Sequence, residues 1–451
     1  MKKLMLICAP VTSRSGYGDH ARDLTLSFIK HDKYDVKIID VPWGNCPRNA
    51  LDKNNTSDND ILCRILKEPR MDSQPDVYVD IRIPNEFQQY GKVNIGVTAG
   101  IETTSVSSAW IEGCNKMDLI IVPSEHSKEG FVKALYEKMQ TLPDGQQQKV
   151  GELKLEKPIE VLFEGADEDI YKPIKNVSLN LVDDIKEDFC FLHVGMWGNG
   201  GFGEDRKDIS KMIKVFYESF ANKKKQPALV LKTNGATFSI LDREECLKKI
   251  NEIKSMFPKD WKLPNVYLLH GSLSTEEMNK LYNHPKVKSF VSFTHGEGFG
   301  RPLLEATMTG LPVIASGWSG QMDFLSQTDS ILIGGELKQV PKSQVWKDII
   351  IPESQWFNVN EQQAYKAMNY CFEKYNEVKE KSLNLMKKNR DKFTLNKMTE
   401  KLDEIVSPFI DKIPTQVGIQ LPKLKKIGSS KSEPPKINLP KLKKVTNEVT
   451  V

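Results

Sequence analysis

Two glutamates, Glu297 and Glu305, enclose the run Glu-Gly-Phe-Gly-Arg-Pro-Leu-Leu-Glu. An ionised carboxylate has only acceptor sites, which suits it to the paired hydroxyls of a sugar or ribose. The flanking residues say how such a pair would be held. The apolar run around Phe290, Val291 and Phe293 reads as a buried strand, and Gly296, Gly298 and Gly300 then permit a sharp bend and close approach to a ligand. Pro302 fits the first turn of a helix over Leu303, Leu304, Ala306 and Met308. Gly310 stops that helix, and Pro312 opens the strand Val313-Ile314-Ala315. This spacing puts Glu297 in the loop and Glu305 in the first helical turn, beside unpaired N–H donors and a partial positive charge. A lone glycine-rich loop is more often just a turn, but the nine-residue pattern is far more specific than a GxGxxG.

Glu297-Gly298-Phe299-Gly300 through Glu305, followed by Pro312-Val313-Ile314-Ala315-Ser316, resembles the signature of the family 4 (group 1) retaining glycosyltransferases. The resemblance implies an α/β chain of the GT-B fold, two Rossmann-like doubly wound domains facing across a cleft. It implies metal-independent transfer with retention of configuration, and no cofactor besides a nucleoside diphosphate sugar as co-substrate. It also implies that Glu305 binds the donor ribose and Glu297 the donor sugar or the nearby leaving group, with Gly298, Phe299 and Gly300 lining the site.

The chain of 451 residues suits two domains of ordinary size, and 39% hydrophobic with 27% charged residues is the composition of a globular protein. No apolar stretch approaches the length of a membrane span, so any membrane association would be peripheral. Leu4-Met5-Leu6-Ile7-Cys8 imitates a signal segment, but it is short and reads better as a first buried strand. Seven scattered cysteines form no CxxC pair, which points to a reducing cytoplasm and no metal site.

Short apolar runs alternate with amphipathic segments, the pattern of parallel sheets covered by helices. Strands are expected at 4–8, 36–39, 77–83, 94–97, 119–122 and 159–163 in the first half. In the second half they fall at 191–194, 228–232, 266–269, 289–292, 313–316 and 331–333. Residues 138–157 are largely polar and read as a surface excursion. An acidic, glycine- and proline-containing stretch from Phe163 to Pro173 marks the domain boundary. The expected organisation is an acceptor-side domain (1–173), a donor domain (174–385), a helix packing back on the first domain (386–412) and a disordered tail (413–451). The tail carries Leu-Pro-Lys-Leu-Lys-Lys twice, at Leu421–Lys426 and Leu439–Lys444, and a net charge of +6, so the rest of the chain is about −2. It suits solvation, or docking to an acidic partner, a nucleic acid or an anionic membrane surface.

A departing diphosphate needs cations and helix-end N–H groups beside the two glutamates. Gly195 and the glycines from Gly198 to Gly203 follow a strand and lead to Arg206-Lys207-Asp208 at a helix start, a plausible anion cradle. In the resembled family an Arg follows the strand glycine and a Lys comes later. Lys207 matches the second, but Met196 replaces the first, leaving a charge for Arg206 or the strand-end Lys232 to supply. The resemblance also assigns Gly317, Ser319 and Gly320 to a loop behind the donor sugar or base, and Gly16 and Gly18 to a pocket loop after the first strand. Glu102 is the leading cleft carboxylate of the first domain, with His126 as the alternative for catalysis. The expected activity is therefore sugar transfer, by a catalytic set of Glu297, Lys207 and Glu102, to a glycan or lipid-linked sugar. Glycosylation of a modified nucleobase in DNA and a non-catalytic GT-B binding or assembly protein are the competing readings.

Overall fold

The structure, a computed structural model, describes residues 2–143, 145–235 and 237–414. The basic tail from Thr415 onward, with both lysine-rich repeats, lies outside the described residues. Residues up to Pro414 form one compact unit built on two parallel sheets.

The N-terminal lobe holds β1 (Lys3–Ala9), β2 (Tyr34–Asp40), β3 (Val77–Ile81), β4 (Val93–Val97), β5 (Leu119–Val122), an antiparallel hairpin of β6 (Leu135–Thr141) and β7 (Gln147–Lys154), and β8 (Ile159–Val161). Helices α1 (Gly16–Lys30), α2 (Thr56–Leu62), α3 (Ser108–Cys114) and α4 (Glu125–Lys133) connect them. The sheet order is β2-β1-β3-β4-β5-β8, all parallel.

The C-terminal lobe holds β9 (Cys190–Val194), β10 (Ala228–Lys232), β11 (Val266–Leu269), β12 (Val287–Ser292), β13 (Val313–Ser316) and β14 (Ile331–Ile333) in the order β11-β10-β9-β12-β13-β14, again all parallel. Its connecting helices are α5 (Asn180–Asp183), α6 (Ile209–Phe220), α7 (Ile240–Ser255), α8 (Thr275–Asn283) and α9 (Arg301–Met308). A separate antiparallel pair, β15 (Gly335–Gln339) and β16 (Gln355–Val359), precedes α10 (Glu361–Glu373), α11 (Tyr375–Lys392) and α12 (Leu395–Ile410).

Strands such as β5, with all four residues buried, are covered by helices on both faces, which is why they are written as apolar runs. In each sheet the strand order reverses beside the first strand, between β1 and β3 and between β9 and β12. An open α/β sheet binds ligands outside the carboxyl ends of its strands at such a point. The loops leaving β1, β9 and β12 carry Gly16, Lys207 and Glu297.

The chain passes between lobes twice, side by side. Ala166 N donates to Phe393 O at 3.0 Å and Leu395 N to Ala166 O at 2.8 Å, and a Cβ on Gly165 would fall 2.6 Å from Leu395 Cα, so only glycine fits. Helix α12 then lies on α1, where Ser27 and Thr399 hydroxyls meet at 2.8 Å and Lys33 pairs with Asp403 at 2.6 Å.

Two pairings differ from expectation. The polar stretch before β8 is an antiparallel hairpin with a register shift between Lys138 and Met139, and β15–β16 is an additional pair. Nearly every residue of β6, β7 and β15 is exposed, so none has the apolar run that marks a buried strand.

Candidate active site

Strand β12 delivers the loop 293–300 to α9. Gly300 caps the helix with φ +103, a left-handed conformation that favours glycine. Arg301 and Pro302 open the helix, so Glu305 is its fifth residue and lies beyond the first turn, contrary to the sequence reading. Its environment is therefore made by side chains and not by the helix end. The glycines also act differently from the expectation of ligand approach: Cβ atoms on Gly296 and Gly298 would fall 2.0 Å from Glu102 O and 1.9 Å from Ala99 O. The glycines thus let the N-terminal lobe's backbone press against the loop, and Ser124 Oγ donates to Gly298 O at 2.6 Å. Gly320 allows the same intimacy from behind, its N–H donating to Glu297 O at 3.0 Å.

Glu297 gathers the predicted cations. Lys207 Nζ is 2.5 Å from Oε1 and Arg206 Nη1 is 3.2 Å from Oε2, while Arg206 Nε faces Glu102 Oε1 of the opposite lobe at 3.6 Å. Burial alone would raise the Glu297 carboxyl, but the charges of Lys207 and Arg206 outweigh it and hold the group at about 2. The loop carrying both cations is fixed to its neighbour: His295 N–H and Thr294 Oγ1 donate to Arg206 O at 2.8 and 3.3 Å. The His295 ring stacks on Trp356 at 4.2 Å, and the buried Asp208, in a left-handed conformation, pairs with Lys211 at 2.8 Å.

Glu305 sits in a second cluster. Tyr282 Oη donates to Oε2 at 3.1 Å and Arg301 Nε to Oε1 at 3.2 Å, while Arg301 Nη1 reaches Asp23 Oδ2 on α1 at 2.5 Å. Burial raises the Glu305 carboxyl to about 7 despite the Arg301 charge. Glu164, in the crossing segment, is pushed up to about 8, first by burial and then, against Arg301, by the negative charges of Asp23 and Asp19. Sequence reasoning missed Arg301, Asp23, Tyr282 and Glu164 as members of this site. Arg301 stood inside the signature itself and was the available signal.

The other candidates divide. Gly16 faces open space at the start of α1, whereas a Cβ on Gly18 would fall 2.2 Å from Ser13 O. Lys232 Nζ donates to Gly271 O at 2.7 Å and is not in the Glu297 cluster. The Phe299 ring goes into the core against Phe324, centroids 5.0 Å apart, which leaves its backbone, and not its ring, to line the site. His126 lies edge-on to Trp318 at 4.6 Å, its Nε2 buried without a partner, and burial lowers it to about 4. Met196 is 51% exposed.

Residues 205–348 match the family model described as glycosyl transferases group 1. No curated protein matches the sequence significantly. Among solved structures, the fold is similar to a sucrose-phosphate synthase from Thermosynechococcus elongatus (TM-score 0.60, 12% identity, 91% of this chain and 100% of that one). It is also similar to Anabaena HepE in complex with UDP and glucose (0.58, 12%, 90% and 100%). A third likeness is a glycosyltransferase from Rickettsia africae (0.57, 12%, 91% and 99%). The chain thus has the GT-B fold and carries, across residues 205–348, the sequence pattern of the group 1 glycosyltransferases.

Proposed function

We propose that the protein is a retaining glycosyltransferase that moves a sugar from a nucleoside diphosphate sugar to a hydroxyl of a glycan or lipid-linked sugar, without a metal or further cofactor. The observation that carries this reading is Glu297 at the mouth of β12, paired with both Lys207 and Arg206, the latter also facing Glu102 of the opposite lobe. A carboxylate held at about 2 stays ionised throughout the working range, so Glu297 acts as a fixed negative charge and not as a proton donor. It opposes the lowering that burial imposes on Lys207 and holds that side chain in place, and it meets the positive charge that develops on the donor sugar. Lys207 and Arg206 in turn meet the negative charge that develops on the departing diphosphate, preorganised where water is largely excluded. The acceptor hydroxyl attacks on the face from which the diphosphate leaves, and Glu102 is the carboxylate on the acceptor's side.

The HepE neighbour was solved with UDP and glucose, which makes uridine diphosphate sugars the first donors to try. A thermal-shift screen of nucleotide sugars, followed by mass analysis of products formed with glycan acceptors, tests the proposal. A donor-specific stabilisation and a product one sugar heavier are expected. If no nucleotide sugar is bound, hydrolysed or transferred, the fold serves binding or assembly instead.

A further inference from the structure

Two carboxylates, Glu297 and Glu102, face two cations, Arg206 and Lys207, so this cluster is neutral before any ligand enters. A diphosphate brings further negative charge, and Met196 supplies nothing to meet it. Two other cations, one from each lobe, meet at the turn Gly271–Ser272. Lys232, at the end of β10, holds Gly271 O at 2.7 Å. Arg14, in the loop from β1 to α1, donates Nη1 to Ser272 Oγ at 3.3 Å, and its Nε and Nη2 to Asn49 Oδ1 and O at 2.8 and 3.0 Å. All these partners are neutral, and among the described residues neither cation has a carboxylate within ion-pair distance. Both therefore hold adjacent residues of one turn with their charge uncompensated.

The loop around Arg14 is otherwise built for a polar guest. Gly16 has nothing within 4 Å of the place a Cβ would take, leaving the start of α1 open. Ser13, fully buried, has a hydroxyl without a hydrogen-bond partner. On the Lys232 side, the Thr233 hydroxyl and His193 Nε2 are likewise buried without partners, the first directly after β10 and the second on β9.

We infer that Arg14 is a phosphate ligand of the donor, contributed by the N-terminal lobe, which with Lys232 supplies the charge that Met196 leaves unmet. The inference rests on the transferase reading above. An exposed guanidinium on neutral oxygens gains by exchanging one of them for a phosphate oxygen, because charge-assisted hydrogen bonds are the stronger kind. Since Arg14 and Lys232 come from different lobes, the diphosphate would bridge them, and a nucleoside lacking phosphate would not.

Calorimetric titration of the full chain with UDP, GDP and ADP, and with the matching nucleosides, tests this. For the diphosphate that wild type binds, Arg14→Ala should weaken affinity about ten- to a hundredfold, leave nucleoside affinity within about twofold, and flatten the dependence on salt. Arg14→Lys should recover part of the loss. Ser272→Ala, which only frees the guanidinium, should bind the diphosphate at least as well as wild type. Undiminished diphosphate binding by Arg14→Ala overturns the inference, as does an equal loss of nucleoside and diphosphate, or a loss in Ser272→Ala matching that of Arg14→Ala. Wild type that binds none of the diphosphates overturns the transferase reading itself and the inference with it.

Discussion

Glu305→Gln isolates the titration of a buried carboxyl. Burial places this group near 7 in the folded protein, against 4.5 ordinarily, with Arg301 opposing the rise. Between those two values the folded chain keeps the proton and the unfolded chain releases it. The group's contribution to stability is therefore greatest below 4.5, falls as pH rises through the window, and is at its least above 7. At 1.36 kcal/mol per pH unit the change is roughly 3 kcal/mol. The amide of the substituted side chain keeps an acceptor for Tyr282 Oη and has no proton to lose. The variant should thus gain on wild type by about 3 kcal/mol between pH 4.5 and pH 8. With an unfolding entropy of about 2.1 cal/mol/K per residue over some 400 residues, this is about 3–4 °C of relative Tm. Paired melts at matched ionic strength measure it, and Glu164, present in both proteins, cancels in the difference. If Glu305 also accepts ribose hydroxyls, nucleotide affinity in wild type should rise with pH through 7 and stay flat in the variant. Parallel stability curves, or a difference of the opposite sign, would refute the assigned environment.

Arg301→Ala leaves Asp23 and Glu305 buried without their shared cation and should cost about 3–5 kcal/mol in chemical denaturation; a loss below about 1 kcal/mol would show the cluster to be well solvated. Gly298→Ala drives a Cβ to 1.9 Å from the backbone oxygen of Ala99, which cannot swing aside as a side chain could, so about 1–3 kcal/mol of stability and much of the turnover should go together. Gly16→Ala meets nothing and should fold as well as wild type, while its methyl group lowers donor affinity in the same titration. Lys207→Ala should reduce single-turnover transfer by about a hundred- to a thousandfold with a smaller effect on donor affinity, and an unchanged rate would remove Lys207 from the chemistry.

How much of this was legible in the chain depended on where the side chains go. Most of the twelve parallel strands were written as apolar runs, because a strand buried on both faces has no solvent side to encode, while the edge strands β2 and β8 carry charged residues between their apolar ones; Leu119–Val122, Ala228–Lys232 and Val313–Ser316 match residue for residue. The exposed strands β6, β7 and β15 lack that run and did not show, and β16, though it buries Trp356, Phe357 and Val359, was not among the expected strands. The signature around Glu297 was equally plain, since Gly300, Pro302 and Gly310 answer to local backbone geometry.

By itself, then, the sequence determined what is local: strands, turns, the loop bearing Glu297, the helix bearing Glu305, and the pairing of an Arg and a Lys at the start of α6. Tertiary structure decided what those charges meet. Arg206 lies between Glu297 and Glu102, and Arg301 joins Glu305 to Asp23, 278 residues away. Gly296 and Gly298 face the other lobe's backbone, and Phe299 turns into the core. The physical reason is that hydrophobic patterning and turn chemistry act over a few residues, whereas the pairing and titration of a buried charge depend on every group folded against it.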